Sequence, residues 1–131
     1  VKNIGMSMIK KFETLGADKK QIMVAIGPSI GSCCYEVDSR VMEPLQQVLP
    51  NALESNIITP TTDGHYQLDL KLANRQLLLE AGLRENQILV SERCTQCEDT
   101  LFFSHRREGV KSGRMVAFIG KRRSNRNDDI R

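Results

Sequence analysis

Apolar residues at Val1, Ile4, Met8, Phe12 and Leu15 recur every three or four positions, a spacing that predicts a helix ending at Gly16. Nothing in that stretch reads as a preceding turn or cap, so the helix is expected to enter already formed, as in the later part of something larger. The run from Ile22 to Ile26 is continuously apolar and predicts a buried strand, followed by a glycine loop from Gly27 to Tyr35. Asp38 can cap a helix whose apolar face is Val41, Met42, Leu45, Val48 and Leu49, with Pro44 predicting a kink or a later start. Thr62-Asp63-Gly64 is a turn signal between two short extended pieces and predicts a hairpin. Leu70, Ala73, Leu77 and Ala81 share one face of a helix opened by Asp69 and closed by Gly82.

Beyond it the pattern predicts a strand over Gln87 to Ser91, a turn at "CTQCEDT", a short apolar segment "LFFS" and a polar loop "HRREGVKSGR". A last strand is expected over Met115 to Ile119. Strands interleaved with helices predict an α+β fold of mixed β-sheets faced by helices. At 131 residues the chain holds one core, assigned to residues 1–120.

Composition alters this picture in two places. Residues 1–120 balance acidic against basic side chains, so the net charge of +3 resides in residues 121–131, "KRRSNRNDDIR", expected to be a disordered basic tail. Two aspartates in that tail and no basic stripe elsewhere argue against a nucleic-acid partner. No apolar run has membrane-spanning length and no leader is visible, so the expected compartment is the cytoplasm, without a membrane partner.

Three constellations carry chemistry. Gly27-Pro-Ser29-Ile-Gly31 fits G-x-S-x-G, and Ser29, Asp69 and His105 follow in the order of an α/β-hydrolase triad. An elbow serine needs a helix behind it, whereas Ser32 to Val37 is poor in helix formers; a glycine turn at a strand exit is the alternative. Four cysteines come as adjacent Cys33-Cys34 and spaced Cys94-x-x-Cys97. Adjacent side chains are expected to diverge, so neither a zinc site nor a disulfide is expected, and the thiols read as free. A copper site is not expected either, because His, Cys and Met lack blue-copper spacing. Finally, Arg106, Arg107, Lys111 and Arg114 concentrate forked cations beside His105, suited to phosphate or carboxylate or simply to a solvated loop.

Taken in order, "AIGPSIGSCCYEV", "LDLKLANRQLLLEAGL" and "RCTQCEDTLFFSHRREGVKSGRMVAFI" resemble the YfiH or laccase-domain family, also called polyphenol oxidase and peptidoglycan-editing factor. The resemblance spans residues 1–120 and implies the C-terminal part of a layered α/β/β/α domain. It implies a zinc-dependent purine nucleoside phosphorylase acting on a purine nucleoside and phosphate, with adenosine deaminase and methylthioadenosine phosphorylase activities among relatives. The family's zinc ligands, two histidines and a cysteine, lie in segments that match nothing here. His65, His105 and the four cysteines are therefore not expected to be metal ligands, and the other half of the enzyme or another copy is expected to cover the open core. No catalytic residue is assignable here; Gly27, Ser29, Gly31, Tyr35, Arg106 and Arg107 are the expected substrate or anion holders. His105 and Glu108 stand where the family's usual "FFSYRRDG" has tyrosine and aspartate. A fragment that binds through the arginine loop without turnover is the alternative, and hydrolysis at Ser29 a remote one.

Overall fold

Two small sheets share one central helix in the computed structural model, which describes residues 3–120. The first sheet pairs β1 (Val24–Ile26) with β5 (Ile88–Val90) in parallel, Val24 opposite Ile88 and Ile26 opposite Val90. The second is antiparallel, with β4 (Tyr66–Leu68) between β2 (Glu36–Val37) and β3 (Ile58–Pro60). Helices α1 (Ile4–Thr14), α2 (Ser39–Val48), α3 (Leu70–Glu80) and the single-turn α4 (His105–Glu108) complete the elements used below. The α+β class is thus the observed one, with parallel and antiparallel pairing segregated into separate sheets.

Local chemistry sets the boundaries. The expectation of an uncapped first helix is corrected: Asn3 caps α1, its Oδ1 accepting from the Met6 amide at 3.0 Å. Asp38 and Asp69 cap α2 and α3 in the same way. Pro44 lies inside α2 without ending it. The carbonyl it leaves unserved belongs to exposed Arg40, where water can substitute. Asp63 and Gly64 take left-handed φ values of 56° and 73° at the β3–β4 turn, a conformation that aspartate tolerates and glycine adopts freely.

The central helix is buried on two sides. Ala73 and Leu77 pack with Val37, Leu45, Leu49, Ile57, Ile58 and Leu68 under the antiparallel sheet. Leu78 packs with Ile9, Leu83 and Ile88 against the parallel one. Each such fully buried Leu or Ile contributes about 1.5–3 kcal/mol relative to exposure. The expected last strand does not form: among the described residues nothing pairs with Met115 to Ile119, and Phe118 is 96% exposed. Its apolar pattern is that of a strand, but a strand exists only by pairing, and no described edge reaches it. The expected tail, residues 121–131, lies outside the described residues. No described helix is long and apolar enough to cross a membrane.

Candidate functional site

The residues expected to line one cleft are distributed over three places. Tyr35, in the loop entering β2, and Arg106, on α4, come together: the guanidinium carbon lies 5.2 Å from the ring centroid, and Nη1 donates to the Glu36 carbonyl at 3.3 Å. They border a polar pocket of about 420 Å³ completed by Asp38, Arg40 and His65. Arg40 is tied to Asp38 through Nε at 2.8 Å and Nη2 at 2.6 Å, and these bonds hold the Asp38 carboxyl below its ordinary range. Arg106 remains exposed, with its fork largely available to an anion. The sequence alone does not single out Arg40 or His65, because the hairpin that delivers His65 and the cap that fixes Arg40 meet only in the fold.

Arg107 faces elsewhere. Its Nη1 donates to the carbonyls of Thr95 and Gln96 at 2.9 and 2.8 Å, and its Nη2 to the Phe102 carbonyl at 2.6 Å and to Glu108 Oε1 at 2.7 Å. A guanidinium so occupied fastens the loop after β5 to α4. Burial acts to raise the Glu108 carboxyl, but Arg107 and Ser112 outweigh it and hold its pKa below the usual value.

Gly27 and Ser29 line a separate cavity of about 440 Å³ that shares no residue with the Tyr35–Arg106 pocket. The Ser29 carbonyl accepts from the Thr95 amide at 3.1 Å, while its hydroxyl is buried with no hydrogen-bond partner among the described residues. Asp69 commits its carboxylate to the Leu72 amide at 2.8 Å as the α3 cap, and His105 is exposed at the start of α4. No triad is assembled on Ser29.

Gly31 belongs to the third place, where all four cysteines converge. Cys33 and Cys34 Sγ lie 3.7 and 3.4 Å from Cys97 Sγ, and the Gly31 amide donates to Cys94 Sγ at 3.2 Å. The expected divergence of the adjacent pair is corrected. A turn closed by the Cys34 amide on the Gly31 carbonyl, 3.0 Å, lets both thiols reach the same partner. A parallel bridge between Ser29 and Cys94 prolongs the β1–β5 pairing, so the loops leaving both strands run side by side. A Cβ on Gly31 would lie 3.2 Å from Cys33 Sγ and 3.3 Å from Cys94 Cβ, which explains a glycine there without any ligand. Burial acts to raise the Cys94 pKa, but the backbone amides of Gly31, Cys97 and Gln96 outweigh it and bring the thiol down to about 6. The signal available in the sequence was that both cysteine pairs follow strands that turn out to be parallel neighbours.

Residues 1–122 match the family described as multi-copper polyphenol oxidoreductase laccase. The chain is 57% identical over 102 residues to the purine nucleoside phosphorylase YlmD of Geobacillus stearothermophilus, covering 77% of the chain and 36% of that relative. It is 46% identical over 122 residues to the Bacillus subtilis purine nucleoside phosphorylase YlmD, covering 92% of the chain and 43% of the relative. The crystal structure of Geobacillus stearothermophilus YlmD superposes with a TM-score of 0.73 at 50% identity, over 80% of this chain and 39% of that one. The chain thus spans less than half the length of the relatives it matches.

Proposed function

Because the chain belongs to the multi-copper polyphenol oxidoreductase laccase family, whose similar members include enzymes named purine nucleoside phosphorylase, we propose that it supplies the C-terminal part of such a phosphorylase. The reading is carried by the Tyr35–Arg106 pair, an aromatic ring under an open guanidinium in a polar pocket that also holds Arg40 and His65. In phosphorolysis a phosphate oxygen forms the new bond to ribose C1′ as the bond from C1′ to the purine nitrogen breaks. The departing base keeps the electron pair and takes a proton from solvent or an acid. The protein must hold an anion, orient the sugar and balance charge on the base. Arg106 suits the first task, as an exposed fork whose hydrogen bond to the protein among the described residues is the 3.3 Å one from Nη1 to the Glu36 carbonyl. Tyr35 gives that fork a fixed platform, and its hydroxyl offers a donor and acceptor to the sugar. Gly27 and Ser29 contribute through the backbone of their loop rather than through the buried Ser29 hydroxyl, and Gly31 and Arg107 position the loops that carry Tyr35 and Arg106.

The zinc expected of the complete enzyme does not fit this chain's residues as a catalytic ion. Among the described residues the only convergent group of metal-ligating side chains is the all-cysteine one, which has no histidine and would fill every tetrahedral position. A catalytic zinc with an open position draws its ligands from elsewhere. Exposed Phe118 and Ile119, which line an apolar cavity with Met8, Phe12 and Met23, are side chains for the rest of the enzyme or a second copy to cover.

Titration of the chain with inosine and with inorganic phosphate, followed by NMR, tests this assignment of the pocket. Shifts at Tyr35, Arg40 and Arg106 are expected. Arg106→Ala should weaken phosphate binding about 10- to 150-fold, the range of one charge-assisted hydrogen bond. Binding that leaves these signals unmoved and is indifferent to Arg106→Ala would place the substrate elsewhere.

A further inference from the structure

We propose that Cys33, Cys34, Cys94 and Cys97 are the four ligands of a structural zinc ion, separate from any metal used in phosphorolysis. A zinc–thiolate bond of about 2.3 Å in a regular tetrahedron requires its sulfurs to stand about 3.8 Å apart. The Cys33–Cys97 separation is 3.7 Å and the Cys34–Cys97 separation 3.4 Å, and all four sulfurs lie within 4.8 Å of one another. The side chains are therefore already gathered around a point that a zinc ion can occupy with sub-ångström adjustment.

The surroundings are those of a thiolate site. The Gly31 amide points at Cys94 Sγ, the kind of donor that stabilises sulfur carrying negative charge. Gly31 itself leaves room for the cluster, since a side chain there would press on Cys33 and Cys94. The frame is held from outside as well: Arg107 grips the Thr95 and Gln96 carbonyls, and Ser104 Oγ donates to Gln96 Oε1 at 2.8 Å. Cys94 is buried, whereas Cys33 and Cys97 are exposed, so the site is anchored at its base and open to metal entry at its rim.

Four sulfurs close the coordination sphere and leave no position for water or substrate, which makes the site structural. Binding forms four zinc–sulfur bonds, releases to solvent the protons of the thiols still protonated, transfers no electrons and leaves a complex of net charge −2. Its mechanical effect is to lock the loop after β1, which carries Tyr35 next to Cys34, to the loop after β5, which Arg107 binds to the helix carrying Arg106.

The test reads metal rather than turnover, so its result is independent of the phosphorylase reading. The full chain, purified anaerobically under reducing conditions, should contain one zinc per chain, with four sulfur neighbours at about 2.3 Å by X-ray absorption. Replacement by Co(II) should give the charge-transfer and intense visible bands of a tetrahedral thiolate complex. Cys34→Ser and Cys97→Ser should lose the stoichiometric metal. Cys97→His should keep it with shifted Co(II) bands, which covers the case in which the serine variants do not fold. His65→Ala and His105→Ala should change nothing in these spectra. A folded, reduced chain that takes up no zinc and gives no thiolate bands with Co(II) would overturn the proposal, as would metal lost with either histidine.

Discussion

Arg107 Nη1 donates to the Thr95 carbonyl at 2.9 Å, so an arginine from the expected anion loop is committed to the backbone beside Cys94. Its neighbour Arg106 lies over Tyr35 instead. Successive residues on a helical turn point about 100° apart, and on α4 that angle separates an arginine that holds the fold from one that is open to a ligand.

Arg107→Ala should therefore act on stability before it acts on binding. Three carbonyls lose a charged donor, at a cost of about 2–3 kcal/mol, visible as a lower urea midpoint with an unchanged slope. Arg107→Lys should recover less than half, because one ammonium cannot reproduce the fork. An Arg107→Ala chain as stable as the parent would contradict the role given to this residue.

The partner of that guanidinium titrates. Glu108 is held below its ordinary pKa, so its contribution to stability is fully present above the unfolded carboxylate value, near 4.5, and declines as pH falls through the lower folded value. Glu108→Gln should flatten the stability–pH curve on that acid side and leave its neutral-pH shape unchanged. An unaltered acid limb would show that the ion pair with Arg107 is not coupled to folding.

Gly31→Ala tests the packing of the cysteine cluster. The added methyl meets Cys33 Sγ at 3.2 Å and Cys94 Cβ at 3.3 Å. Overpacking of this kind costs about 1–3 kcal/mol. Gly27→Ala, with nothing within 4 Å of the added carbon, should cost less. Equal losses from the two substitutions, measured by chemical denaturation, would contradict the packing role given to Gly31, since neither glycine has a left-handed φ.

Much of the fold was legible because its signals are local. Asp38, Asp69 and Gly82 bounded their helices as expected, and Thr62-Asp63-Gly64 made the β3–β4 turn. The composition of the segment Met115 to Ile119 predicts a strand, but strand formation depends on a partner that no local pattern supplies. The site was less legible for the same reason. Cys34 and Cys97 meet across 63 positions only because β1 and β5 pair in parallel and deliver both loops to one side. The divergence argued for adjacent cysteines holds in extended chain and fails in the turn they occupy. Tyr35 and Arg106 could be named singly; their contact, and the enlistment of Arg40 and His65, required the tertiary fold.

Ser29→Ala separates the loop reading from the hydrolase one. The hydroxyl is buried without a partner among the described residues, so removing it should leave stability unchanged or raise it by up to about 1 kcal/mol. A serine-directed phosphonate should not label the residue. Stable labelling at Ser29 would restore the nucleophile elbow.

The most direct test of the proposed activity places this chain in the context its relatives provide. The matching segment of Geobacillus stearothermophilus YlmD, 57% identical, is replaced by this chain, and the chimera is assayed for hypoxanthine released from inosine with and without phosphate. Phosphate-dependent release with formation of ribose 1-phosphate is expected, and Arg106→Ala should lower kcat/KM about 10- to 150-fold. A chimera that is folded by circular dichroism and carries its metal, yet releases no base in a phosphate-dependent manner, would contradict the assignment.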